Sequence, residues 1–273
     1  MKINSNVAAM RGYNNLNKVN SLKEKSLEKL STGKRINSAS DDAAGMAIST
    51  KMNNQIKGMQ QALRNTQDGQ SLVQTCEGAL SETNDILSRM RELTVQANNG
   101  TYTESERDNI KVELNELAAQ ITDIAKNTKF NGQELLTTSA AGNDIKLQVG
   151  ANKGETLDIS TTDLEGVAKT LTDAIDLDDN AKIEATLDAI DTAIETVSTD
   201  RATLGATINR LDYTASNLST SIENLSAANS RIEDTDVAQE MITFTKNNIL
   251  AQAGNSMLAQ AMQMPNSALQ LLG

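Results

Sequence analysis

Near the C-terminus, Leu250, Gly254, Met257, Ala261, Met264, Ala268 and Leu271 recur in alternating four- and three-residue steps. That spacing is the seam of a coiled coil. Small and large residues alternate along it, which lets a partner backbone come close at Gly254, Ala261 and Ala268. A looser stripe runs through the N-terminal stretch: Ile3, Val7 and Met10, then Leu16, Val19, Leu22, Leu27 and Leu30, bounded by Gly33. Neither segment can bury its apolar face within itself. The two are expected to pair with each other and to present what remains to further copies, so the chain reads as an assembly subunit. The residues expected to carry assembly are Leu16, Val19, Leu27 and Leu30 with the seven C-terminal seam positions.

Between these ends the chain is built for long helices. It has a single proline, Pro265, among 273 residues, and aromatic residues make up only 2% with no tryptophan. Core volume must come from aliphatic side chains on narrow bundles. The helical pattern from Asp41 to about Asn98 would form an element of roughly 85 Å at the helical rise, with Ser40 or Asp41 capping its start. Thr103 and Glu106 form a capping box for a second helix, which carries Ile110, Leu114, Leu117, Ile121 and Ile124 on one face. Phe130, Asn131 and Gly132 signal a turn. Alternation over Ile145–Val149 and Thr156–Ile159 predicts one β-hairpin, and residues 163–179 a short helix or loop. A third long helix follows to about Asn229, with a break at 231–236. The expected fold is mainly α: an elongated antiparallel long-helix bundle with one small β-hairpin region and the N- and C-terminal helices paired as a coiled coil. Residues 1–40 with 236–273 would form one domain, and 41–235, with the hairpin near 144–160, the other.

The chemistry such a chain can perform is narrow. There is no histidine, which removes the commonest general base and metal ligand. Cys76 stands alone, so no intrachain disulfide forms, and a thiol within an apolar helical pattern reads as core. The acidic pairs Asp41–Asp42 and Asp178–Asp179 lack the alternate-residue spacing of a calcium loop and read as helix N-terminal charge. No catalytic group, metal or cofactor is expected. The net charge of −11 is uneven. Residues 1–35 are basic, but their only aromatic is Tyr13, so no nucleic-acid partner is expected. Residues 155–200 are acidic and read as solvated surface. No cleavable signal and no apolar run long enough to span a membrane is present, which by itself predicts a cytosolic protein without a membrane partner.

Four stretches change that address. Leu30–Ile48 (LSTGKRINSASDDAAGMAI), Ser88–Asn98 (SRMRELTVQAN), Ser230–Asp236 (SRIEDTD) and Gln252–Ala261 (QAGNSMLAQA) resemble the N- and C-terminal motifs of bacterial flagellins. The likeness covers about residues 1–135 and 180–273, and the motifs stand in the family's order. The segment between is short, so the chain resembles a minimal flagellin without large inserted domains.

The resemblance implies a structural subunit that polymerises into a hollow extracellular filament used for motility. Its terminal helices would form the inner tube and the next helices the outer one. It implies export through the flagellum-specific type III apparatus with an uncleaved N-terminus and a chaperone, terminal helices largely disordered before assembly, and contacts with filament cap and junction proteins. It also implies recognition by the host Toll-like receptor for this family, the matching positions being Arg89, Leu93 and Glu113. Leu269, Leu271 and Leu272 resemble leucines read by a cytosolic sensor. Two alternatives stay open: an axial protein of the hook-filament junction type, and a soluble helical scaffold protein.

Overall fold

The computed structural model describes residues 6–137, 145–160 and 162–270, with 264–270 given by backbone alone. In chain order the elements are α1 (Val7–Thr32), α2 (Ala43–Ala97), α3 (Glu104–Asn127), β1 (Lys129–Phe130), β2 (Gln133–Glu134), β3 (Ile145–Gln148), β4 (Thr156–Ile159), α4 (Leu164–Ala174), α5 (Asn180–Glu233) and α6 (Val237–Gln270). The fold is mainly α, as the periodicity predicts.

Local chemistry sets the helix ends. Asn6 caps α1 by accepting from the Ala9 amide at 3.0 Å. Asp42, rather than Ser40 or Asp41, caps α2, its Oδ1 accepting from the Gly45 amide at 2.9 Å. Asp41 instead braces the preceding loop, taking the amides of Asn37 and Ser38, and those bonds hold its pKa below the ordinary carboxylate range. The capping box of α3 forms as expected: the Glu106 carboxylate accepts from the Thr103 amide at 2.8 Å and hydroxyl at 2.9 Å. Asp163 caps α4 through the Gly166 amide at 2.8 Å.

Among the described residues two antiparallel strand pairs are present where one was expected. β3 pairs with β4, Ile145 opposite Ile159 and Gln148 opposite Thr156. The turn at Asn131–Gly132 closes a second, minimal pair, β1 with β2. Both turn residues have positive φ, 50° and 81°, as a two-residue primed turn requires. Asn and Gly are the residues that tolerate this backbone best.

The chain divides into two compact units, 1–54 with 223–273 and 55–222. The divisions fall inside α2 and α5 instead of at 40/41 and 235/236, because the start of α2 and the end of α5 are bonded into the terminal unit, as described below. The central unit, 55–222, has an aliphatic core. Leu72, Cys76, Leu80, Leu87 and Met90 of α2 meet Leu114 and Ile121 of α3, Leu164 and Leu171 of α4, and Ile183, Ile190 and Val197 of α5. Burial raises the Cys76 thiol to about 11, which leaves it a protonated core group. The acidic stretch is only partly solvent-facing. Asp176 and Asp178 clamp Lys111 and Lys182, the shortest pairing being 2.7 Å from Lys182 to Asp176. Asp191 pairs with Arg91 at 2.7 Å.

Candidate assembly surface

Helices α1 and α6 pair antiparallel within the terminal unit, and their Cα atoms come within 8 Å of each other. Small residues allow that approach. A Cβ added to Gly254 would lie 3.3 Å from Leu16 Cδ1, and one added to Gly12 would lie 3.6 Å from Leu258 Cδ1. Each helix thus sets a leucine over the other's glycine.

The buried and half-buried positions define the actual seam. On α1 they include Ala9, Gly12, Leu16, Val19, Lys23, Ser26 and Leu30; on α6, Glu240, Phe244, Asn247, Ala251, Gly254, Leu258 and Ala261. Both sets step by three and four. Of the positions expected to carry assembly, Leu16, Val19, Leu30, Gly254 and Ala261 lie on this seam. Leu27, Leu250 and Met257 do not: Leu250 is 44% and Met257 71% exposed. The side chains of Met264 and Ala268, and all of Leu271, lie outside the described residues. Gly254 and Ala261 belong to two stripes at once, so the spacing through Leu250 and Met257 traced a real apolar face adjoining the seam. Sequence reasoning missed Ser26 and Asn247, both buried, because a small polar residue breaks an apolar stripe even where it packs well.

The second face is the notable surface. Val7, Met10, Tyr13, Leu22 and Leu27 on α1, and Ile242, Ile249, Leu250, Met257 and Met262 on α6, are exposed. These exposed apolar side chains are available to a partner.

At its base the pair is held by a polar cluster centred on Glu233, which is buried. Its carboxylate pairs with Lys34 and accepts from the Ser49 hydroxyl, from Asn53 Nδ2 at 3.1 Å and from Asn229 Nδ2 at 3.2 Å. Lys34 first, then these donors, hold its pKa down at about 2. Backbone bonds close the same joint: the Arg35 amide donates to the Glu233 carbonyl at 2.6 Å and the Thr235 amide to the Gly33 carbonyl at 3.0 Å. The Arg35 guanidinium donates to the Ile232 carbonyl at 2.7 Å. These bonds draw residues 41–54 and 223–235 into the terminal unit. Asn229 and Glu233 continue the buried phase of Ile222 and Leu225 along α5, the one sequence signal that could have revealed the cluster.

The residues matched to receptor contacts sit on α2 and α3. Arg89 donates to Glu113 at 3.1 Å and to Glu92 at 3.3 Å, with Arg89 and Glu113 about half exposed. Leu93 is only 2% exposed and belongs to the core, while the nearby Val95 is exposed. Among the described residues no helix is long and apolar enough to cross a membrane, and no group of acidic or sulfur side chains is arranged to hold a metal.

Residues 3–141 match the bacterial flagellin N-terminal helical region, and residues 187–272 the bacterial flagellin C-terminal helical region. The chain is 48% identical to a flagellin of Halalkalibacterium halodurans and 46% identical to a flagellin of Bacillus subtilis, in both cases over the whole of each chain. It is 41% identical over the same full extent to a flagellar filament 33 kDa core protein of Treponema phagedenis. Among solved structures, a Bacillus cereus flagellin superposes with a TM-score of 0.52 at 37% identity, covering 61% of this chain and 94% of that one. A putative flagellar hook-associated protein of Vibrio parahaemolyticus superposes with a TM-score of 0.59, covering 71% of this chain and 100% of that one, at 20% identity. That last likeness shows a shared fold alone.

Proposed function

The chain belongs to the bacterial flagellin family, and from that premise we propose that it polymerises through the exposed apolar faces of α1 and α6. It is a structural subunit of the extracellular flagellar filament, in a family of structural proteins and not of enzymes. Identity of 48% to a flagellin along its whole length favours this over the junction-type axial protein and over a soluble scaffold.

The observation that carries the assembly reading is the second face. After α1 and α6 have satisfied each other along the seam, Val7, Met10, Leu22, Leu27, Leu250 and Met257 still face outward. Burying a large apolar side chain contributes about 1.5 to 3 kcal/mol, and several are available on each helix. Copies docking through these faces bury them without closing a ring, which gives a helical polymer. The terminal pair forms the inner tube and the central unit the outer one. The subunit reaches the tip through the type III export apparatus with a chaperone, and meets cap and junction proteins at the filament's ends. The test is deletion of residues 250–273. The expected product is a folded monomer that forms no filaments under conditions in which the full chain does; filaments from the truncated chain would overturn the reading.

A second reading concerns the half-exposed Arg89–Glu113 pair, which offers a host Toll-like receptor a charged patch at the α2–α3 surface. Monomer with Arg89→Ala is expected to activate receptor-bearing cells less than the unaltered chain; equal activation would refute the role.

A further inference from the structure

The single proline of the chain lies inside α6, which continues past it to Gln270. In an α-helix the carbonyl of residue i is taken by the amide of residue i+4. Residue 265 is a proline and has no amide hydrogen, so the carbonyl of Ala261 lacks the i+4 donor that an α-helix ordinarily gives it. A donor comes from elsewhere: Asn6 Nδ2 donates to the Ala261 oxygen at 2.7 Å. The same side chain, through its other end, accepts from the Ala9 amide at 3.0 Å and caps α1. One carboxamide therefore satisfies a vacant donor at the start of one helix and a vacant acceptor in the middle of the other.

We propose that Asn6 and Pro265 together form a distal latch of the terminal pair: the proline exposes the Ala261 carbonyl, and Asn6 captures it to pin the first turn of α1 against α6. The need for such a latch follows from the seam. Beside Leu16, Val19, Phe244 and Leu258 it carries Ala9, Gly12, Ser26, Ala251, Gly254 and Ala261, so several turns of the pairing bury little. The Glu233 cluster fixes the base of the pair at residues 33–35. Asn6 fixes its far end, where the apolar seam alone would let α1 fray. A specific polar contact between paired helices is an established means of setting register, and here the acceptor is freed by a missing amide.

The latch rests on the reading that the paired ends are buried in the filament. That reading is judged by the truncation above, the latch by a difference between two backgrounds. Asn6→Asp preserves the cap, since Asp and Asn cap equally well, but cannot donate to Ala261. Pro265→Ala restores the amide to Ala261 and makes the donor from Asn6 redundant. Critical concentrations for polymerisation are measured by sedimentation for the four chains of this cycle. Asn6→Asp is expected to raise the value about fivefold with Pro265 present, the worth of one net hydrogen bond, and by less than twofold with Ala at 265. Equal penalties in both backgrounds, or no penalty with Pro265, would overturn the latch. If Asn6→Asp forms no filaments at all, their return in the double variant supports it, and continued failure overturns it. If Pro265→Ala does not polymerise, filaments of the unaltered chain labelled with 15N at Asn6 Nδ2 and 13C at the Ala261 carbonyl decide. Dipolar coupling matching a 2.7 Å N···O contact supports the latch, and its absence refutes it.

Discussion

In the central unit the largest side chains are inside: Leu80, Leu87, Met90, Leu114, Ile121, Ile183 and Ile190 are all fully buried. The terminal pair divides its residues differently: Leu16 is inside together with the small or polar Ser26, Asn247 and Ala251, while Met10, Leu27, Ile249 and Met257 are outside. Both regions are made of long amphipathic helices with the same three- and four-residue steps, so the difference lies in which residues occupy the seam. A seam of large residues makes a unit that is complete alone. A seam that sets leucines against glycines brings two backbones together and leaves further large residues for other copies. Stability of the subunit and stability of the polymer are thus assigned to separate side chains.

The contrast yields graded predictions. The largest effect on the isolated chain is expected from Leu80→Ala or Ile190→Ala, which empty a closed core and should cost about 2–5 kcal/mol in denaturant unfolding of the monomer. Leu27→Ala and Leu250→Ala should leave that unfolding within about 0.5 kcal/mol yet raise the critical concentration for polymerisation at least tenfold. Equal effects of both classes in both assays would erase the distinction between the two regions.

Next in size is Gly254→Leu. The close approach of Leu16 leaves no room for a branched side chain at 254, so α1 and α6 should separate and polymerisation fail, while the unfolding of the central unit is unchanged. Gly254→Ala demands a shift of only a few tenths of an ångström and should still assemble.

The two helical patterns were legible in the sequence because period and caps are local properties: Thr103 with Glu106, Gly132 after Asn131, and the apolar phase of α3 all appear where the spacing puts them. What did not follow was the facing of α6. Gly254 and Ala261 sit where two stripes cross, and the alternating four- and three-residue steps fit Leu250 and Met257 as well as they fit Ala251 and Leu258. Spacing alone does not say which of two adjoining stripes a partner helix covers. The Glu233 joint was illegible for a related reason. A lone acid reads as surface, and only its four donors, brought from residues 34, 49, 53 and 229, make it a buried hub.

That joint predicts a pH dependence confined to the terminal unit. The Glu233 pKa is lowered from 4.5 to about 2, so its contribution is fully present above the ordinary glutamate range and is lost as pH falls toward 2. Protection of the Arg35 and Thr235 amides against hydrogen exchange, corrected for the intrinsic rate, should decline across that window. With Glu233→Gln it should be lower at neutral pH and nearly flat. Parallel decline in both chains would remove Glu233 as the cause.

The smallest effect is expected at the surface. Arg91→Ala removes an exposed pair with Asp191 that solvent and salt screen, and neither unfolding nor polymerisation should change measurably.

The central claim, that the outward faces of α1 and α6 are reserved for other copies, is tested most directly by peroxide oxidation of methionine in monomer and filament, read by mass spectrometry. Met10 and Met257 are exposed and Met90 is buried in the central core, so one chain carries probe and control. The account predicts that Met10 and Met257 oxidise readily in the monomer and become protected in the filament, while Met90 stays slow in both. Met10 and Met257 oxidising as fast in the filament as in the monomer would contradict it.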